Sequence, residues 1–159
     1  MELKNRTVCF TGHRKIPPER IDTLARRLRT IIIELIENGY LYFGAGGALG
    51  FDTLAAQTIL DLKSDYPQIK LILVLPCLSQ ADSWSSCDKE IYEYIKAIAD
   101  KVVYTSREYS KGCMHKRNRH LVDNSSACIC YLTEKVGGTA YTVEYAKRMN
   151  LLVINTAEK

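Results

Sequence analysis

No Cys-x-x-Cys pair occurs among the six cysteines of this 159-residue chain, so the usual zinc and thioredoxin spacings are missing and no metal site is expected. Cys9, Cys128 and Cys130 fall instead inside strand-like runs, where cysteine acts as a small buried hydrophobe. Unpaired cysteines of that kind point to a reducing compartment, and the cytoplasm is the expected setting. Long apolar stretches are also missing. The run Leu71 to Leu75 is far too short to span a bilayer. The opening residues Met1-Glu2-Leu3-Lys4-Asn5-Arg6 are too charged for a signal peptide, so no membrane contact is expected. Charge of one sign is in short supply as well: 22 Lys and Arg against 18 Asp and Glu leave a net +4 that is not confined to one tail. That balance permits an anionic partner. It lacks the concentrated basic stripe of a dedicated nucleic-acid module, so nucleic acid is not expected as a partner. Finally, there is no G-x-G-x-x-G followed by an acidic residue about twenty positions on, and no G-K-[ST]. Both absences argue against an ordinary dehydrogenase or NTPase.

What is present is a steady alternation of strand-like and helix-like segments. Short β-prone runs are expected at 7–11, 40–43, 69–75, 101–105, 127–132 and 151–155, and helices at 20–38, 49–64, 86–99, 115–124 and 139–150. The first helix repeats Ile21, Leu24, Leu28, Ile31, Ile32 and Leu35 at helical spacing, after Pro17 and Pro18 and before Gly39. The third strand is continuously apolar from Leu71, as expected for a parallel strand buried on both faces. Such alternation implies right-handed crossovers. The expected fold is therefore a Rossmann-like three-layer α/β/α arrangement with a mostly parallel sheet. Apolar residues at 47% and charged residues at 25% give a soluble globular balance. With no repeat, low-complexity tract or linker, 1–159 is expected to be a single domain.

Three loops after strands could carry chemistry. They are Thr11-Gly12-His13-Arg14; Gly44 to Asp52, with Gly46, Gly47, Ala48 and Gly50; and Gly137-Gly138-Thr139, leading to Thr142 and Glu144. Glycine lets backbone approach a ligand without a Cβ in the way, and a helix start presents free N–H groups to an anion. Arg14 is suited to clamp a phosphate, and the hydroxyls of Thr139 and Thr142 are suited to donate to one. Asp52 reads either as a helix cap or as an acceptor for a ribose hydroxyl. Trp84 reads either as a base-stacking surface or as cover for the core edge. Arg117 and Asn118 open a helix after a strand and are candidates to face the same crevice.

Together these motifs resemble the SLOG superfamily, named for its DNA-processing (DprA/Smf) and Lonely Guy members, and within it the YpsA-like branch of bacterial proteins. The resemblance runs over nearly the whole chain. It rests on Thr11 to Arg14, Gly46 to Asp52, Pro76 with Trp84, Gly112-Cys113-Met114 with Arg117-Asn118, and Gly137-Gly138-Thr139 with Glu144. It implies a Rossmann-like fold and a site for a nucleotide-derived ligand such as ADP-ribose or NAD. No cofactor beyond such a ligand is implied. The Lonely Guy pattern M-H-x-R-K is kept as Met114-His115-Lys116-Arg117-Asn118, with Asn118 in place of the lysine. The pattern P-G-G-x-G-T-x-x-E is kept at Gly137, Gly138 and Glu144, with Val136, Ala140 and Tyr141 departing from it. In a Lonely Guy-like phosphoribohydrolase, Glu144 and Arg117 would be the catalytic residues, with Glu144 stabilising an oxocarbenium-like ribose. The DNA-processing pattern S-G-x-A-x-G-I-D is similar to Ala45 to Asp52. Three functions follow in order of expectation: a sensor or regulatory module for a nucleotide-like small molecule, a nucleoside 5′-monophosphate phosphoribohydrolase, and single-stranded nucleic-acid binding. Related folds often dimerise, so a homodimer is compatible with the resemblance, though no interface patch is legible.

Overall fold

The computed structural model describes residues 3–157, so both ends of the expected 1–159 domain lie outside the described residues. Six strands and five α-helices alternate along them: β1 (Thr7–Gly12), α1 (Ile21–Glu37), β2 (Tyr42–Ala45), α2 (Phe51–Leu62), β3 (Lys70–Leu75), α3 (Ser86–Ile98), β4 (Lys101–Tyr104), α4 (Cys113–Asp123), β5 (Ala127–Tyr131), α5 (Gly138–Arg148) and β6 (Leu152–Asn155). Every strand pairing is parallel, and the order across the sheet is β4-β3-β2-β1-β5-β6. This is the Rossmann-like α/β fold that the alternation implies.

Strand side chains point to opposite faces in turn, so each strand feeds two cores. Val8 and Phe10 of β1, Leu71, Leu73 and Leu75 of β3, and Ala127 and Ile129 of β5 pack under α1, α2 and α3. Cys9, Val74, Cys128 and Cys130 face the other way, under Leu121 and Val122 of α4 and Val143 and Ala146 of α5. Helix α1 buries Leu24, Leu28, Ile32, Leu35 and Ile36 along one stripe, because apolar residues three and four apart share a helix face. The three-to-two split of helices follows from the topology. The chain steps outward from β1 to β4 with helices on one side, then α4 carries it back across the sheet to β5 on the other.

Boundaries depart from the sequence expectation where register or caps decide. β2 runs to Ala45 rather than stopping at 43, because Thr7↔Tyr42 and Cys9↔Gly44 pairing draws Gly44 and Ala45 into the sheet. At Gly44 an added Cβ would lie 2.9 Å from the Leu121 side chain, so glycine lets α4 sit close on the sheet. α4 starts at Cys113, two residues early, behind Gly112 in the left-handed conformation at φ 87°. Among the described residues no helix is long and apolar enough to cross a membrane.

Candidate functional site

The chain leaves β1 toward β2 on one side and leaves β5 toward β6 on the other. These adjacent strands therefore form a switch point, and open α/β sheets place their ligand crevice outside the strand ends there. A cavity of about 220 Å³ occupies that position. It is lined by Thr11 and Gly12 at the end of β1 and Arg14 just after it, Ala48 and Asp52 at the start of α2, Gln80 and Trp84 between β3 and α3, Met114, Arg117 and Asn118 on α4, and Gly138 and Thr139 opening α5. Five segments distant in sequence thus meet at one place.

Two charged groups form its buried floor. Asp52 is 6% exposed and Arg117 is 5% exposed. Asp52 Oδ2 accepts a hydrogen bond from the Ala48 N–H at 3.3 Å, while Oδ1 is buried with no hydrogen-bond partner among the described residues. Burial pushes the Asp52 carboxyl up to about 6, against the opposing pull of the Arg117 charge and the Ala48 and Gly46 amides. Arg117 donates through Nη1 to the Gly46 carbonyl and through Nε to Asn118 Oδ1 at 2.7 Å. Among the described residues its Nη2 meets only the Met114 thioether sulfur, at 3.9 Å. Burial lowers the Arg117 pKa and the Asp52 charge raises it, yet no ion pair joins the two among the described residues.

The walls are aromatic and basic. The Arg14 guanidinium carbon lies 6.0 Å from the Trp84 ring centroid, a cation–π distance. Trp84 packs edge-on to Tyr92 at 5.2 Å. Gln80 donates to the Gly46 carbonyl at 3.4 Å and accepts from the Tyr92 hydroxyl at 3.3 Å.

The glycines divide into two kinds. A Cβ on Gly46 would lie 2.6 Å from Arg117 Nη1, so the absent side chain is the space in which the guanidinium rests. Gly50 combines φ 82° with the Arg14 carbonyl oxygen at 2.1 Å from where a Cβ would sit, so only glycine fits. Leu75 crowds Gly47 and Phe51 crowds Gly12 in the same sense. The α2 end is also engaged internally, with the Ala48 N–H on Asp52 and the Phe51 N–H on the His13 carbonyl. At Gly137 and Gly138, by contrast, nothing lies within 4 Å of an added Cβ, and α5 begins without a side-chain cap. Helix α4 starts just as openly behind Gly112, but the helix start whose opening glycine lines the crevice is that of α5.

Residues 9–153 match the family model described as the YspA SLOG family (YpsA). The chain belongs to that family. A curated relative, the UPF0398 protein of Bacillus cereus, is 30% identical over 131 residues, covering 80% of this chain and 71% of its own length. Two solved structures share the fold. One is DNA processing protein A from Helicobacter pylori, a protein with a single-stranded DNA binding mode; the TM-score is 0.69 at 22% identity, over 95% of this chain and 65% of that one. The other is DprA from Streptococcus pneumoniae, with a TM-score of 0.68 at 20% identity, over 95% of this chain and 50% of that one. This SLOG chain thus spans about two thirds and half of the two DNA-processing structures. These likenesses correct the expectation that nucleic acid can be set aside as a partner. Charge density read along a sequence does not report which surfaces a fold assembles, and this fold is shared with proteins that process DNA.

Among the residues expected from sequence to form the SLOG site, Gly12, Arg14, Ala48, Asp52, Trp84, Arg117, Asn118, Gly138 and Thr139 line the one cavity. Others lie elsewhere. His13 turns aside to accept a hydrogen bond from the Thr133 N–H at Nε2, 2.9 Å away, tying the β1 loop to the β5 loop. Gly46, Gly47, Gly50 and Gly137 shape the backbone around the cavity without lining it. Thr142 is buried and donates to the Gly138 carbonyl at 2.9 Å, the usual i−4 bond of a helical threonine. Glu144 is exposed and borders a different cavity, of about 600 Å³, with Lys147 and Arg148. It lies six residues into α5, where the helical turn carries it away from the face presented by Gly138 and Thr139. The two residues of the hydrolase reading, Glu144 and Arg117, are thus not brought together. Thr11, Gln80 and Met114 line the cavity without having been singled out as site residues. Gln80 stood between the strand expected at 69–75 and the helix expected at 86–99, and Met114 in the motif before Arg117, but nothing in their spacing marked their direction.

Proposed function

We propose that this SLOG chain binds a phosphate-bearing nucleotide derivative in the switch-point crevice and acts as a sensor or regulatory module. One observation carries the reading. A single crevice gathers the open α5 start at Gly138 and Thr139, the Arg14 cation beside the Trp84 ring, and a buried polar floor. Phosphate is served by free amides and the helix dipole, and a base by the indole face. At about 220 Å³ the cavity is below the roughly 300 Å³ at which pockets begin to engulf a ligand. It therefore grips one sugar–phosphate unit and leaves the remainder of the molecule on the surface. Calorimetric titration with adenine nucleotides, ADP-ribose and NAD tests the reading. Saturable heat is expected for at least one of them below millimolar concentration, and silence across the panel at millimolar ligand would overturn it. Hydrolysis ranks lower than in the sequence expectation, because Glu144 faces away from the crevice.

Single-stranded DNA is the second reading. It is favoured by the fold shared with the two DNA-processing structures, one of which is described in a single-stranded DNA binding mode. Phosphate-driven binding would weaken steeply with salt, and a flat salt profile would count against it.

A further inference from the structure

We infer that the crevice selects a sugar carrying free vicinal hydroxyls, a ribonucleotide rather than a deoxyribonucleotide, with Asp52 as the hydroxyl acceptor and Arg117 as the donor. The inference rests on the nucleotide reading above and adds the class of sugar.

The argument begins with what the floor leaves unsatisfied. Asp52 and Arg117 are both more than nine-tenths buried and both line the cavity. Each is fixed on its protein side: Asp52 Oδ2 by Ala48, and Arg117 by Gly46 and Asn118. Each leaves one group over. Asp52 Oδ1 has no partner, and Arg117 Nη2 has only a thioether, a weak acceptor. A buried polar group without a partner is costly, so such a pair of leftovers marks where a ligand completes the structure.

The chemistry of the leftovers then selects the ligand group. An ionised phosphate carries no proton to donate, and it would meet the Asp52 carboxylate as a like charge. It belongs at the α5 start, where an added Cβ on Gly138 would find nothing within 4 Å. An apolar group would leave both leftovers unpaired. A hydroxyl can donate to a carboxylate and accept from a guanidinium at once, and two adjacent hydroxyls can meet both groups. Burial raises the Asp52 carboxyl to about 6, and a hydroxyl donating to it would favour its charged form.

The test compares ADP with 2′,3′-dideoxy-ADP by calorimetry at pH 7.5, on the wild-type chain and on Asp52→Ala. Wild type is expected to bind ADP at least about ten-fold more tightly than the dideoxy form, the scale of a hydrogen bond to a charged group. Asp52→Ala should bring the two affinities to within about two-fold of each other, by loss on the ADP side. The wild-type comparison stands alone should the variant fold poorly. Equal wild-type affinities for the two nucleotides would overturn this inference and leave the nucleotide reading intact. No heat from either would overturn this inference, and silence extending to ADP-ribose and NAD would overturn the nucleotide reading as well.

Discussion

Asp52 is the side chain that ties the stability of this chain to pH. Its carboxyl is held at about 6 in the folded chain against an ordinary 3.8, through burial. The folded state therefore binds a proton that the unfolded state has already released. Stability is fully present below about pH 4 and is lost as pH rises through 6, a difference of roughly 3 kcal/mol from a shift of about two units. Asp52→Asn, which imitates the protonated form, should raise Tm by several degrees at pH 8 and leave it unchanged at pH 4. Thermal unfolding at both values checks this, and a lower Tm at pH 8 would mean that the ionised carboxylate is held by the Arg117 charge. Gly46 makes a complementary case. Its missing side chain is the seat of the Arg117 guanidinium, with a Cβ only 2.6 Å from Nη1. Gly46→Ala should cost about 1–3 kcal/mol in denaturant unfolding and weaken nucleotide binding by displacing Arg117.

Among the elements, α5 and α2 begin alike in sequence and differ in what meets them. Both follow glycines after a strand and both lack a side-chain cap. The α2 start is wedged against β1, with the Phe51 N–H on the His13 carbonyl and the Phe51 ring stacked 6.1 Å from Tyr131. The α5 start is open. Gly138→Asp should therefore leave Tm nearly unchanged, since its Cβ meets nothing, and lower nucleotide affinity about ten-fold or more by placing a carboxylate where phosphate belongs. Glu144→Gln, on the far side of the same helix, should leave affinity within about two-fold. Calorimetry on the two variants side by side separates the two faces of α5. The helix itself was legible as the segment 139–150 that follows the Gly137-Gly138 loop. Its rotation, which turns Thr139 into the crevice and Glu144 out of it, was not, because a motif read as a line carries no phase relative to other elements.

At the level of the whole molecule, the sheet holds the crevice open by fixing the ends of β1 and β5 side by side. The larger core, under α1 to α3, supports that geometry. Leu28 is fully buried within it, so Leu28→Ala should destabilise the chain by about 2–5 kcal/mol, measured by denaturant midpoint. Because Leu28 does not line the crevice, nucleotide affinity below the unfolding transition should hold.

By itself the sequence determined the number and kind of elements, the parallel sheet and the family. Those depend on local periodicity, on punctuation by glycine and proline, and on motifs that lie within single loops. The tertiary structure alone decided which glycines hold protein and which face empty space, and that Asp52 and Arg117, 65 positions apart, share one buried floor. It also decided that Glu144 leaves the crevice. These outcomes turn on the register of strands and the rotation of helices against one another, which arise only when distant segments pack and compete for the same volume.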